Sequence, residues 1–305
     1  MTIETSTAAP ETTAPVEDRA LLVVRDLRVA YQSTRMFGRK RGVEVVKGVS
    51  FHIGAGETFG LVGESGSGKS TTGRAILRLI PSASGSIEFA GTEVTAFGRR
   101  TPLSYRRDVQ AVFQDPSMSL NPRQPVSDAL LAALKRHGMS SRAERWRVAA
   151  EAFDQVGLQR AHLDRYPGEL SGGQQQRVAI ARALVLKPKL VVCDEAVSAL
   201  DLSTQSQIIN LLCDLQEQTG MSYLFIAHDL GIVRHLSDRV GVMRQGELVE
   251  VATPEELFTR AKHPYTRRLL GATPADHPEG RERRREVRAQ WARVHALEEE
   301  LSDPA

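Results

Sequence analysis

The stretch GESGSGKS, Gly63 to Ser70, constrains this chain more than any other part of it, because the spacing G-x-x-x-x-G-K-[ST] has a use only where a strand runs into a helix. The flanks meet that condition. ETFGLVG before it is a short apolar strand, and TTGRAILRLI after it has helical spacing. Gly63, Gly66 and Gly68 let the backbone curl so that successive N–H groups point inward, and the positive end of the following helix dipole reinforces the anion site they form. Lys69 adds a point charge suited to phosphate, and the Ser70 hydroxyl suits a magnesium ion. The candidate phosphate-binding residues are therefore Gly63, Ser65, Gly66, Ser67, Gly68, Lys69, Ser70 and Thr71.

Strand signals surround this loop. LLVVRDLRVAY and VEVVKGVSFHI predict an antiparallel β part near the N-terminus, joined through a basic loop around FGRKRG, and GSIEFAG and DVQAVFQ add two more strands. Between about Asp115 and Pro167 the pattern turns helical, in SDALLAALKRH and AERWRVAAEAFDQV. LVVCD then restores the core: an apolar run without alternation suits a parallel strand buried on both faces. The helix-like TQSQIINLLCDLQEQ, the strand SYLFIAH and the run RVGVMRQGELVEV follow. The expected fold class is α/β: a P-loop NTPase core with a mostly parallel sheet flanked by helices, the antiparallel β part, and an inserted helical subdomain. The expected division is a disordered tail over 1–19, the N-terminal part of the core over 20–114, the helical subdomain over 115–170, the rest of the core over 171–252, and an extension over 253–305. Within that extension, Val287, Trp291, Val294, Leu297 and Leu301 predict a charged amphipathic helix from Glu279 to Leu301.

Composition excludes several classes. With 41% hydrophobic and 25% charged residues in 305, the chain can bury a sizeable core, so it is not disordered throughout. The net charge of +3 is spread over several segments, which argues against nucleic acid as a partner. Cys193 and Cys213 lie in apolar or helical runs without metal-ligand spacing and read as reduced core thiols of a cytosolic protein. No stretch reaches the roughly 18 apolar residues of a membrane span, and the first residues lack the pattern of a signal peptide, so any membrane process served here needs another chain to do the spanning.

Other candidates gather at strand ends. Asp194 closes LVVCD, where a carboxylate at the carboxyl edge of a parallel sheet can hold a magnesium ion, and Glu195 beside it is placed to orient a water and accept its proton. Alone, such a pair is an ordinary solvated turn; the glycine loop gives it meaning. His228 ends SYLFIAH and can hydrogen-bond a terminal phosphate or the water. Gln114 ends DVQAVFQ and can reach a metal ion or water, and Tyr31 ends the first strand and can stack on a base. Ser171, Gly172, Gly173 and Gln174 open another helix with a capping box, and two bare glycines behind the cap make a second anion site.

The order of these elements resembles the ATP-binding cassette family over roughly residues 21 to 250. Tyr31 falls at the adenine-stacking position, GESGSGKS at the phosphate loop, Gln114 at the Q-loop, LSGGQQQR at the signature, LVVCDE at the Walker B strand, SALD with Asp201 at the D-loop, and His228 at the switch histidine. The resemblance implies ATP and Mg²⁺ as ligands, with Ser70, Gln114 and Asp194 around the metal and Glu195 and His228 as the catalytic pair. It implies a head-to-tail dimer in which one subunit's phosphate loop is closed over by the other's Ser171 to Gln174, with Asp201 communicating between them.

A narrower resemblance joins FQDPSMSLNPR (Phe113 to Arg123) and HPYTRRLL (His263 to Leu270) to the ATPase subunits of bacterial oligopeptide and dipeptide importers, whose relatives also carry nickel. It implies an energy-coupling subunit on the cytoplasmic face of the membrane, two permease subunits, an external solute-binding protein acting indirectly, and a second ATPase, with a heterodimer favoured over a homodimer. Two departures stand out. Ala196 replaces the usual Pro after the catalytic Glu, and no Cys follows Cys213, so the iron–sulfur cluster common at the tail of that group is not expected. The competing readings are a soluble ABC ATPase acting on DNA or ribosomes, for which a second cassette or long coiled coil is lacking here, and a nucleotide-dependent switch without turnover, disfavoured by Glu195 and His228.

Overall fold

The computed structural model describes residues 20–33, 41–98, 100–116 and 120–272. The expected disordered tail, most of the basic FGRKRG loop and the charged helix from Glu279 lie outside them. Two sheets organise the chain. The first is antiparallel, in the order β2-β1-β4-β5, built from β1 (Ala20–Ser33), β2 (Arg41–Gly54), β4 (Ser84–Phe89) and β5 (Thr92–Glu93). The second runs β10-β9-β3-β8-β7-β6, from β3 (Thr58–Val62), β6 (Val109–Phe113), β7 (Leu190–Asp194), β8 (Ser222–Ala227), β9 (Arg239–Arg244) and β10 (Glu247–Ala252). All its pairings are parallel except β9 with β10, so the expected mixed architecture, with an antiparallel part near the N-terminus, is what the chain adopts.

Strands β3, β7 and β8 are buried along their whole length, because helices or the other sheet cover both faces. Alternate side chains divide between two cores. Phe59, Leu61, Val192, Leu224 and Ile226 face the antiparallel sheet and pack with Leu22, Val24, Leu27, Phe51 and Ile87, with Phe51 stacked on Phe59 at 4.8 Å. Helix α1 (Lys69–Ile76) lies between the two sheets. Val191, Cys193, Tyr223 and Phe225 face the other way, toward the helices.

Those helices are α3 (Val126–Arg136), α4 (Arg142–Gln155), α5 (Gly172–Leu184), α6 (Leu202–Thr219) and α7 (Leu230–Leu236), with a short α2 (Leu103–Asp108) ahead of them and α8 (Pro254–Arg260) and α9 (Pro264–Ala272) behind. Between β6 and α5 the described chain forms only helices and 3₁₀ turns, as the apolar spacing there dictates. Leu130 and Phe153 of that stretch share one core with Val178, Val191 and Phe225, and α3 and α4 both pack on α5, which in turn lies against β6. Among the described residues no helix is long and apolar enough to cross a membrane. The run RVGVMRQGELVEV folds as a hairpin: Gln245 and Gly246 both take positive φ, 48° and 91°, the geometry a two-residue turn between twisted strands requires.

Candidate functional site

The phosphate loop is held open by its glycines. Gly63 has φ 152°, and a Cβ there would lie 2.2 Å from the Met243 carbonyl oxygen on β9, so no larger residue fits. Gly68, at φ 104°, caps α1 without any side-chain cap, leaving the helix's leading N–H groups to the loop's concavity. Gly66 is open, with nothing within 4 Å of a notional Cβ, and Ser65 is exposed beside it. The Ser67 hydroxyl is buried without a hydrogen-bond partner, an orphan that suits a site completed by a ligand.

Lys69 is only 4% exposed, and its Nζ donates to the carbonyls of Gly63 at 2.7 Å and Glu64 at 2.9 Å. Burial pulls its ammonium below the ordinary lysine range, with the charges of Glu195 and Asp194 acting the other way. Ser70 and Thr71 follow, half-buried in the first turn of α1. Ser70 Oγ donates to Asp194 Oδ1 at 2.7 Å across 124 positions.

Four adjacent parallel strands deliver the remaining candidates to one edge. Phe113 pairs with Asp194, Asp194 with Ile226, and Ala227 with Val62. The residues that come next, Gln114, Glu195, His228 and Gly63, therefore leave the sheet side by side at its carboxyl end. Asp194 is 6% exposed, and burial pushes its carboxyl above the ordinary range against the hydrogen bond from Ser70. A cation would relieve that cost. Glu195 is half-buried with φ 52°, its N–H donating to the Ile226 carbonyl at 2.9 Å, so the chain turns sharply where the carboxylate must face outward. Gln114 and His228 are exposed. Tyr31 pairs with Val43, is 43% exposed, and lies two residues before the end of β1, which continues to Ser33.

The donor set fits magnesium: a hydroxyl and a carboxylate in contact, both hard oxygens. Among the described residues no three His, Cys, Asp or Glu side chains converge on a metal cage, so such an ion would need ligands from a phosphate or water as well.

Ser171 to Gln174 form the capping box that their spacing predicts, with Ser171 Oγ accepting from the Gln174 N–H at 3.3 Å and Gln174 Oε1 accepting from the Ser171 N–H at 3.0 Å. Gly172 is exposed, which bares the backbone at the positive end of α5. Gly173 has a second duty that spacing did not reveal: a Cβ on it would sit 2.7 Å from Thr204 Cγ2 on α6. Thr204 in turn donates its hydroxyl to Asp201 Oδ2 and its N–H to Asp201 Oδ1, at 2.7 and 2.9 Å, and Ser203 Oγ adds a third bond. Those three donors hold the Asp201 carboxyl well below the usual carboxylate range, so it stays ionised. Gly173 of this second anion device thus faces α6, whereas the phosphate loop touches β2, β7, β9 and α9.

One partner of the phosphate loop was not legible beforehand. Tyr265, in the HPYTRRLL stretch, accepts a hydrogen bond from the Glu64 N–H at 3.1 Å, with 201 positions between them. The turn at Gly246 also donates to the Ser67 carbonyl at 2.9 Å. No periodicity in the sequence signals either contact.

Comparison with known proteins agrees with this geometry. A family profile described as "ABC transporter" matches residues 46–198, and one described as "Oligopeptide/dipeptide transporter, C-terminal region" matches residues 249–299. The oligopeptide transport ATP-binding protein OppD of Mycobacterium tuberculosis is 50% identical over 269 residues, 87% of this chain and 44% of that protein. A putative peptide import ATP-binding protein of Brucella ovis is 46% identical over 268 residues, 88% of this chain and 83% of that protein. The chain thus spans less than half the length of its mycobacterial relative and most of the Brucella one. Among solved structures, the dimeric ATP-binding cassette MJ0796 in a post-hydrolysis state with ADP and Pi superposes with a TM-score of 0.68 at 28% identity, covering 76% of this chain and 98% of that one.

Proposed function

The chain belongs to the ABC transporter family, and from that premise we propose that it is the ATP-hydrolysing, energy-coupling subunit of an importer for oligopeptides, dipeptides or a related small solute. The observation that carries this reading is the carboxyl edge of the parallel sheet, where the phosphate loop, Asp194, Glu195, His228 and Gln114 emerge from neighbouring strands. The names of the relatives, all import or transport subunits, favour it over action on DNA or ribosomes.

In this proposal the N–H groups of Gly63 to Thr71 bind the polyphosphate of ATP, and Lys69 exchanges the carbonyls of Gly63 and Glu64 for phosphate oxygens. Tyr31 stacks on adenine. Ser70 and Asp194, with Gln114, would hold Mg²⁺, which when bound would supply positive charge to the phosphates. Glu195 orients a water in line with the γ-phosphorus and takes its proton as the new O–P bond forms and the bond to ADP breaks. His228 hydrogen-bonds the γ-phosphate. Ser171, Gly172, Gly173 and Gln174 of a second cassette close the site from the opposite side with their helix N-terminus, and Asp201 sits at that junction.

Closure on ATP and reopening after hydrolysis would reach a membrane permease through Gln114 and the helices that follow it. The chain then works as a peripheral subunit on the cytoplasmic face, beside a second ATPase, two permease subunits and, indirectly, an external binding protein. Gentle purification from detergent-solubilised native membranes, followed by mass spectrometry, tests this. Recovery with multi-span permeases and a sister cassette is expected; recovery with ribosomes or DNA and no membrane protein would overturn it.

A further inference from the structure

The peptide joining Gly63 to Glu64 is a rigid plane whose C=O and N–H point in opposite directions. Its C=O accepts from Lys69 Nζ at 2.7 Å, and its N–H donates to Tyr265 Oη at 3.1 Å. The next carbonyl, that of Glu64, accepts from Lys69 Nζ at 2.9 Å and from the Ser67 N–H at 3.2 Å. Rotating the first plane would break the lysine's perch and the tyrosine's bond together. Gly63 is packed against β9, but from Glu64 to Ser67 the outer side of the loop borders a groove of about 410 Å³, also lined by Arg244 and Tyr265, so hydrogen bonds carry more of the burden of fixing the loop there.

Tyr265 itself is firmly placed. It is 3% exposed, and the Arg244 guanidinium, at the end of β9, lies 5.2 Å from its ring centre. The start of α9 is tied down by Glu250 on β10, whose carboxylate accepts from the N–H groups of Lys262 at 2.7 Å and His263 at 3.0 Å. His263 Nδ1 accepts from the Tyr265 N–H at 3.2 Å. A chain of bonds therefore runs from β10 through α9 to the peptide plane that sets the position of Lys69.

We propose that Tyr265 is a positioning residue for the phosphate loop: its hydroxyl fixes the Gly63–Glu64 peptide plane and thereby the Lys69 ammonium, so that the segment after β10 sets nucleotide affinity. This rests on reading Gly63 to Thr71 as the nucleotide site. The test is titration of the full chain with a fluorescent MgATP analogue, alongside melting curves without nucleotide, for wild type, Tyr265→Phe, Glu250→Gln, the double variant and Lys69→Ala. Tyr265→Phe keeps the ring on Arg244 and removes only the hydroxyl, so affinity should fall about three- to tenfold, the worth of one hydrogen bond, with the melting temperature nearly unchanged.

Glu250→Gln should also weaken binding, and the double variant should be no worse than the weaker single one, because both act through the same plane. Wild-type affinity in Tyr265→Phe, or losses that simply add, would overturn the proposal. Should Tyr265→Phe fail to fold, Glu250→Gln decides alone, and unchanged affinity in it overturns the proposal equally. If wild type binds no MgATP, or Lys69→Ala binds it as well as wild type does, the nucleotide-site reading falls instead.

Discussion

Lys69 is held in an uncomfortable state. Its ammonium is buried against two carbonyls and is pulled below its ordinary range, so a polyphosphate is a better partner than the one it has. Binding should therefore stabilise the fold: at a hundredfold excess over Kd the gain is about 2.7 kcal/mol, a melting shift of roughly 5 to 10 °C for a domain of this size. Differential scanning fluorimetry with MgATP should show that shift in wild type and none in Lys69→Ala. The loop's identity was legible because each of its residue types has one physical use at that spacing. The perch of Lys69 on Gly63 and Glu64 was not, since it depends on how the backbone curls, and neither was Tyr265, whose partner is 201 positions away.

At the scale of elements, α5 and α6 meet where Gly173 faces Thr204. Thr204 cannot simply turn aside, because its hydroxyl is bonded to Asp201 at 2.7 Å. Gly173→Ala should cost about 1–3 kcal/mol of stability by overpacking, read from chemical denaturation. Thr204→Ser removes the offending methyl and keeps the hydroxyl, so it should recover part of that loss; no recovery would mean the strain lies elsewhere. The elements themselves were readable from the sequence where burial is simple: LVVCD and SYLFIA lack alternation because both faces are covered. RVGVMRQGELVEV was harder, since the turn that splits it rests on one glycine and a glutamine at positive φ. The capping box at Ser171 was legible, but the closeness of α5 to α6 was not, because a glycine gives no sign of which neighbour excludes its Cβ.

At the scale of the molecule, the described residues carry one phosphate loop and one signature helix, the first set against β2, β7, β9 and α9 and the second against α6. In the proposed arrangement the signature helix of a second cassette closes over each phosphate loop. The α/β class and the carboxyl-edge site were legible from the order of strand and helix patterns together with the glycine loop, because parallel strands bring their carboxyl ends to one side. The chain of bonds from β10 through Tyr265 to the loop is a tertiary matter that order does not reveal. In the proposed mechanism Glu195 turns bound MgATP over. The direct measurement is MgATP binding and steady-state hydrolysis, side by side, for wild type and Glu195→Gln in the complex recovered from membranes. The account predicts binding of similar affinity in both and a fall in kcat of about 100-fold or more in the variant; a Glu195→Gln protein that hydrolyses ATP at the wild-type rate would contradict it.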